Sequence, residues 1–214
     1  MESKIKSSVY FADALSKIND KFKSDYISLN DILNIFGDSG RFILCMLLST
    51  PFLIPISIPG SSVPFGLAIM FIGFGLITNR FLIPKKITDY KIKKTNVISI
   101  FQATKTALEK FEKIFKPRVL FLTKNNSINL INGILLVFSS FLLMLPLPIP
   151  LTDTLPAYSI FLLSAGILER DGFFIIISYA LIIITSVYFA LILIFGFEVI
   201  YYIASYFGIN LPVI

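Results

Sequence analysis

Histidine is absent from the chain, and cysteine occurs once, as Cys45 inside an apolar run. A His- or Cys-based metal site therefore lacks its ligands. Ser-His and Cys-His nucleophilic catalysis fail for the same reason. A lone cysteine forms no disulfide within the chain, and Cys45 reads most simply as a small apolar packing residue. Charge is scarce too. Only 15% of the 214 residues are charged and 56% are hydrophobic, with a mean hydropathy of +0.83, where soluble domains carry about 25% charge. Residues 1–38 hold five lysines and six acids without a continuous apolar stretch, so they do not read as a secretory signal. Carboxylate chemistry stays open, but the acids are few. These absences point away from an enzyme, a cofactor, a metal and a nucleic-acid partner, and toward the lipid bilayer.

What is present is organised around four uncharged stretches: Phe42–Thr78, Asn125–Thr152, Gly172–Phe197 and Val199–Ile214. A span needs about 20 apolar residues. The first stretch is too long for one span and is interrupted by Pro51, Pro55, Pro59-Gly60 and Pro64. It reads as a hairpin of two short helices, 41–57 and 62–78, either short spans or re-entrant with a tip buried in protein. Residues 129–168 repeat the plan: an apolar helix to Pro146, then Pro148, Pro150, the polar tip Thr152-Asp153-Thr154, Pro156 and a second apolar helix. An offset of 91 places Pro55 on Pro146 and Pro59 on Pro150. One inserted residue then sets Pro64 on Pro156, and Gly75-Leu76-Ile77 returns as Gly166-Ile167-Leu168.

The expected architecture is an all-α integral membrane protein in five segments. Residues 1–38 form amphipathic cytosolic helices, the second announced by Ser28 with Asp31 three residues on. Residues 39–78 are the first hairpin and 79–128 a basic linker. Residues 129–168 are the second hairpin, and 169–214 one or two further membrane helices. Asn79–Asn126 carries twelve Lys/Arg against three acids, which keeps it cytosolic. Both hairpins then enter from the same side, as a repeat of one orientation, in a multi-pass protein with a cytoplasmic N-terminus. The linker holds an amphipathic helix with Val97, Ile98, Phe101, Thr104, Leu108, Phe111 and Phe115 on one face. Lys105, Glu109, Lys110, Glu112 and Lys113 lie mostly on the other, with Glu109 and Lys113 at i,i+4. Such a helix lies on the anionic inner leaflet or covers the ends of the spans.

The Pro-rich tips are the most specific feature. Hydroxyl or carboxylate residues shortly before an early-turn proline are N-cap grammar, so Pro59, Gly60, Ser61, Ser62 and Pro64, with Thr152, Asp153, Thr154 and Pro156, support two readings. They cap short membrane helices, or they bring two helix N-termini to one substrate site that attracts an anionic lipid or envelope precursor. Asp153 is the one acid deep in the apolar part of the chain. It is a proton or cation site or a tip residue at the extracytoplasmic interface. Glu169-Arg170-Asp171-Gly172 joins two apolar helices. Asp171 can cap the second, and Glu169 and Arg170 can pair with each other or with Arg41 and Arg80 near the cytosolic face.

Ile54-Pro55-Ile56-Ser57-Ile58-Pro59-Gly60-Ser61-Ser62, Thr154-Leu155-Pro156-Ala157 and Gly166-Ile167-Leu168-Glu169-Arg170-Asp171-Gly172 resemble the ExoD exopolysaccharide-synthesis family. The resemblance runs from about Ser28 to Ala190 and includes Phe36-Gly37 and Gly40-Arg41. The family pattern has Asn where this chain has Asp153, and Trp where it has Ile83. The resemblance implies a bacterial inner-membrane protein associated with exopolysaccharide production. It implies no particular molecular activity. The alternative to substrate binding is a scaffold that recruits polysaccharide-assembly proteins through the basic linker.

Overall fold

The computed structural model describes residues 25–28, 30–31, 40–54, 60–78, 89, 91–112, 122, 126–145, 147, 149 and 151–206. The elements are β1 (Tyr26–Ser28), α1 (Gly40–Ser49), a 3-10 turn (Thr50–Leu53), α2 (Val63–Ile77), β2 (Lys91–Lys93), α3 (Lys94–Glu112), α4 (Asn126–Met144), α5 (Thr154–Leu168) and α6 (Gly172–Tyr206). The chain is mostly helical, as expected. The departure from an all-α fold is the antiparallel ribbon of β1 and β2, with Ile27 opposite Ile92. Its three-residue strands are too short for alternation to show in the sequence.

Two helix boundaries differ from expectation. The first helix stops at Ser49, not near residue 57, because Pro51 has no N–H to continue it. The hydroxyls of Ser49 and Thr50 donate back to the Met46 carbonyl at 3.1 and 2.7 Å, and the chain tightens into the 3-10 turn. The last helix does not end at Phe197 but runs on to Tyr206, so residues 199–206 continue it rather than starting a new element. The expected helix within residues 5–22, Arg80, Pro55, Pro59, Pro146, Pro148, Pro150 and residues 207–214 lie outside the described residues. The start of the second N-terminal helix matches its sequence signal. Asp31 accepts the Ser28 N–H at 2.9 Å and the Ser28 hydroxyl at 2.7 Å, and the Asp31 N–H donates to Ser28 Oγ at 3.2 Å. This is a capping box.

The helices pack crosswise. α2 lies along α4, α1 lies on α5, and α5 is also flanked by α4 and α6. α5 is the centre of the core: Ala157, Ile160, Leu163 and Ala165 have no exposed surface. The α2–α4 crossing is close because it lacks side chains where the backbones meet. A Cβ on Gly73 would sit 2.7 Å from Val137 Cγ2 and 3.1 Å from the Gly133 carbonyl oxygen. A Cβ on Gly133 would sit 2.8 Å from Ile77 Cγ1. The reward is dense dispersion contact between two backbones.

The amphipathic helix of the linker is α3, and its apolar face is buried in the core. Val97, Phe101 and Thr104 are 3%, 0% and 0% exposed, and Thr104 Oγ1 lies 2.8 Å from Thr50 Oγ1. This face packs on α1 and on the 3-10 turn. On the outer face of α3, Lys105 pairs with Glu109 at 3.6 Å. Lys113, Phe115 and the side chains of Leu108, Lys110, Phe111 and Glu112 are outside the described set.

Among the described residues, one stretch, Gly172–Gly196 in α6, is long and apolar enough to cross a membrane. Gly40–Leu53, Val63–Ile77, Ile128–Met144 and Thr154–Leu168 are shorter apolar helices. α6 and α4 turn apolar faces outward. Ile183, Ile184 and Val187 are 65%, 55% and 54% exposed, and Ile134 and Phe141 are 48% and 53%. Such continuous apolar stripes mark a surface that meets something other than water.

Candidate functional site

The two polar tips meet inside the molecule. Gly60 opens the first with φ +80°, and Leu151 opens the second with φ 68°. Glycine takes this left-handed conformation freely; for leucine it is strained. Ser62 and Asp153 follow at the N-cap positions of α2 and α5. Their backbone carbonyls start the helices, accepting from Gly66 N at 2.8 Å and Ala157 N at 3.1 Å. Capping by their side chains was one sequence expectation, and the structure corrects it. Both residues have helical φ and ψ, and neither side chain makes a cap hydrogen bond. A capping residue needs extended backbone to aim its oxygen at the following N–H groups. Instead, the Ser62 hydroxyl donates to Asp153 Oδ1 at 3.2 Å.

That bond lies in a buried polar cluster. Ser62 and Thr152 have no exposed surface, and Asp153 and Thr154 are each 6% exposed. Thr152 Oγ1 turns back to the carbonyls of Ile149 and Leu147 at 2.7 and 3.1 Å, which fixes the tip rather than the helix. Asp153 thus sits at the amino end of its own helix and one hydrogen bond from that of α2. Each terminus carries roughly half a positive charge. Gly60 and Pro64 are exposed, Ser61 is half-buried and Pro156 is buried. The prolines are therefore not equivalent in their surroundings. The spacing explains why: Ser62 and Asp153 are 91 residues apart, and the starts and ends of α2 and α5 share that spacing without the inserted residue. Pro64 falls at the second position of its helix, and Pro156 at the third.

Glu169-Arg170-Asp171-Gly172 forms a helix-to-helix corner. The Asp171 N–H donates to the Gly166 carbonyl at 2.8 Å and the Arg170 N–H to Ile167 at 3.2 Å, the paired bonds that close a helix at a left-handed residue. That residue is Arg170, with φ 55°. The Asp171 carboxylate then accepts the Phe173 N–H at 3.0 Å, capping α6 as the sequence suggested. Arg41 and Glu169 are half-buried and Arg170 is exposed. Among the described residues, no cluster of three or more His, Cys, Asp or Glu side chains could hold a metal.

Sequence reasoning missed a polar pair that joins two helices. The Tyr179 hydroxyl donates to Asn132 Oδ1 at 2.6 Å, joining α6 to α4. Asn132 is 1% exposed, and its Nδ2 has no hydrogen-bond partner. The available signal was a polar residue within each apolar run, read against a rule that polar groups in such runs seek each other.

No solved structure matches this chain. In sequence, it is 37% identical over 183 residues to Protein ExoD of Rhizobium meliloti, covering 85% of this chain and 76% of that protein. It is 31% identical over 156 residues to an uncharacterized protein of Synechocystis, covering 71% of this chain and 73% of the other. The family described as "Exopolysaccharide synthesis, ExoD" matches residues 11–191. With the Pro-broken tips and the Glu-Arg-Asp-Gly corner inside that match, the chain belongs to the ExoD family, which implies a role in exopolysaccharide synthesis.

Proposed function

We propose that this chain is a non-enzymatic, multi-pass membrane protein that supports exopolysaccharide synthesis by binding or moving an anionic envelope substrate between its two hairpins. The observation that carries the proposal is the Ser62–Asp153 bond. It brings the amino ends of two short helices to one buried point, the arrangement that broken helices use to hold charged groups within a membrane. The outward apolar stripes of α4 and α6 supply the lipid-facing surface, and the 25-residue stretch Gly172–Gly196 supplies a full crossing.

The hairpins are read as an internal repeat. Three features recur at one spacing: the left-handed tip residues Gly60 and Leu151, the joined residues Ser62 and Asp153, and the ends of the paired helices. The crosswise packing agrees. Exchanging the hairpins turns the α1–α5 contact into the α4–α2 contact, as a two-fold along the membrane normal requires. Both hairpins then enter from the cytosol, leaving the basic linker and the N-terminus there.

Ser62→Ala and Thr154→Ala test the site reading. Exopolysaccharide output should fall further than thermal stability does. Equal loss of both would reduce the tips to plain structural elements.

A scaffold that recruits polysaccharide-assembly proteins is the second reading. It is favoured by the outward Lys105–Glu109 face of α3, where the side chains are 35% and 49% exposed. Charge reversal at Lys105, Lys110 and Lys113 should then abolish partner capture while leaving substrate movement intact.

A further inference from the structure

The molecule has two unlike flanks. α6 packs on α5, and α3 packs on α1 and on the 3-10 turn, with α1 and α5 between them. On the α6 side, together with α4, the outward residues are Ile134, Phe141, Ile183, Ile184 and Val187. On the α3 side they are Gln102, Thr106 and Glu109, with Lys105 half-exposed beside them.

The level of α3 matters as much as its chemistry. Thr104 is hydrogen-bonded to Thr50, which follows the ten residues of α1. At roughly 1.5 Å per residue, that is about 15 Å from the start of the first hairpin helix, near half of a hydrocarbon core of about 30 Å. Lys105 and Glu109 therefore flank the hairpin at the depth where its helix breaks, not at its cytosolic end. A Lys–Glu pair facing acyl chains at that depth is strongly disfavoured. The broken backbone at Thr50–Leu53 needs protein or water around it as well.

We infer that the α3 flank borders water down to the level of Thr50, while the α4–α6 flank meets acyl chains. The first hairpin thus lies at the edge of a hydrated indentation walled by α3. This rests on the membrane reading above and adds to it a wet side and a lipid side.

The test uses single cysteines carrying nitroxide labels in the full chain with Cys45→Ala, reconstituted in phosphatidylethanolamine–phosphatidylglycerol liposomes. The sites are Gln102→Cys and Thr106→Cys on α3, Ile134→Cys and Phe141→Cys on α4, and Ile184→Cys and Val187→Cys on α6. Collision with a water-soluble nickel chelate should be on the order of tenfold higher at 102 and 106 than at the other four, with oxygen collision reversed. Oxygen-rich profiles at all six positions would overturn the wet flank and leave the membrane reading standing. Nickel-rich profiles at all six would overturn the membrane reading itself. A bilayer-confined photoreactive carbene, applied to the unmodified protein, provides a check without substitutions. It should modify peptides of α4 and α6 and spare α3; labelling of α3 equal to that of α4 would also sink the inference.

Discussion

Ser62 donates its hydroxyl proton to Oδ1 of Asp153 at 3.2 Å, and both side chains are buried. Each heads its own helix and caps neither. The bond ties the amino ends of α2 and α5 together, so its contribution should be measurable as a coupling. A double-mutant cycle with Ser62→Ala and Asp153→Ala should give about 1.5–3 kcal/mol of interaction, the range for a hydrogen bond to a charged group. Unfolding in detergent measures it. Asp153→Asn retains an acceptor and should lose less. Additive single variants would remove the link.

Arg170 holds a left-handed conformation that glycine adopts without strain. Arg170→Gly should therefore raise stability by about 1 kcal/mol. Asp171→Ala, which removes the carboxylate bonded to Phe173 N, should lower it by about 1 kcal/mol. Thermal unfolding of the two variants in parallel decides the matter. A stability loss in Arg170→Gly would mean that the guanidinium holds something beyond the corner.

At Gly73 there is no room for a methyl group, whereas at Gly196 nothing lies within 4 Å of a built Cβ. Gly73→Ala should destabilise by about 1–3 kcal/mol through overpacking. Gly196→Ala should be neutral or gain up to about 1 kcal/mol from helix propensity. Equal effects would show that α2 and α4 do not approach as closely as described.

Tyr179→Phe takes away the donor to Asn132 Oδ1 and leaves a buried amide unsatisfied at both ends, given its unpartnered Nδ2. The expected loss is about 1–3 kcal/mol. Adding Asn132→Leu should restore most of it, since removing both polar partners is close to neutral. Failure of the double variant to recover would assign the loss to packing.

Much of this architecture was legible from periodicity and punctuation. The Ser28–Asp31 box, the Asp171 cap and the apolar face of α3 follow from local rules, which act over three or four residues. The rest depended on distance along the chain. Thr50 with Thr104 and Asn132 with Tyr179 are paired by tertiary packing, and nothing in either partner's neighbourhood names the other. For Ser62 and Asp153 the sequence offered only a meeting of the two tips, not the bond. The tips illustrate the limit. The residue types were singled out as cap or binding site, yet local grammar favoured capping because it cannot register a competing partner 91 residues away. The three-residue strands were invisible for a different reason, since their length carries no period.

The crosswise arrangement of helices sets a timetable for biogenesis. α1 rests on α5 and α2 on α4, so the amino-terminal hairpin leaves the ribosome before either of its permanent neighbours exists. At roughly 5–20 residues per second, about 3 to 13 seconds separate the emergence of Ile77 from that of Met144, the end of α4. Throughout that wait the bare Gly73 surface has no companion of its own. Chains cut short before α4 would be released with that surface exposed, as ready substrates for quality control.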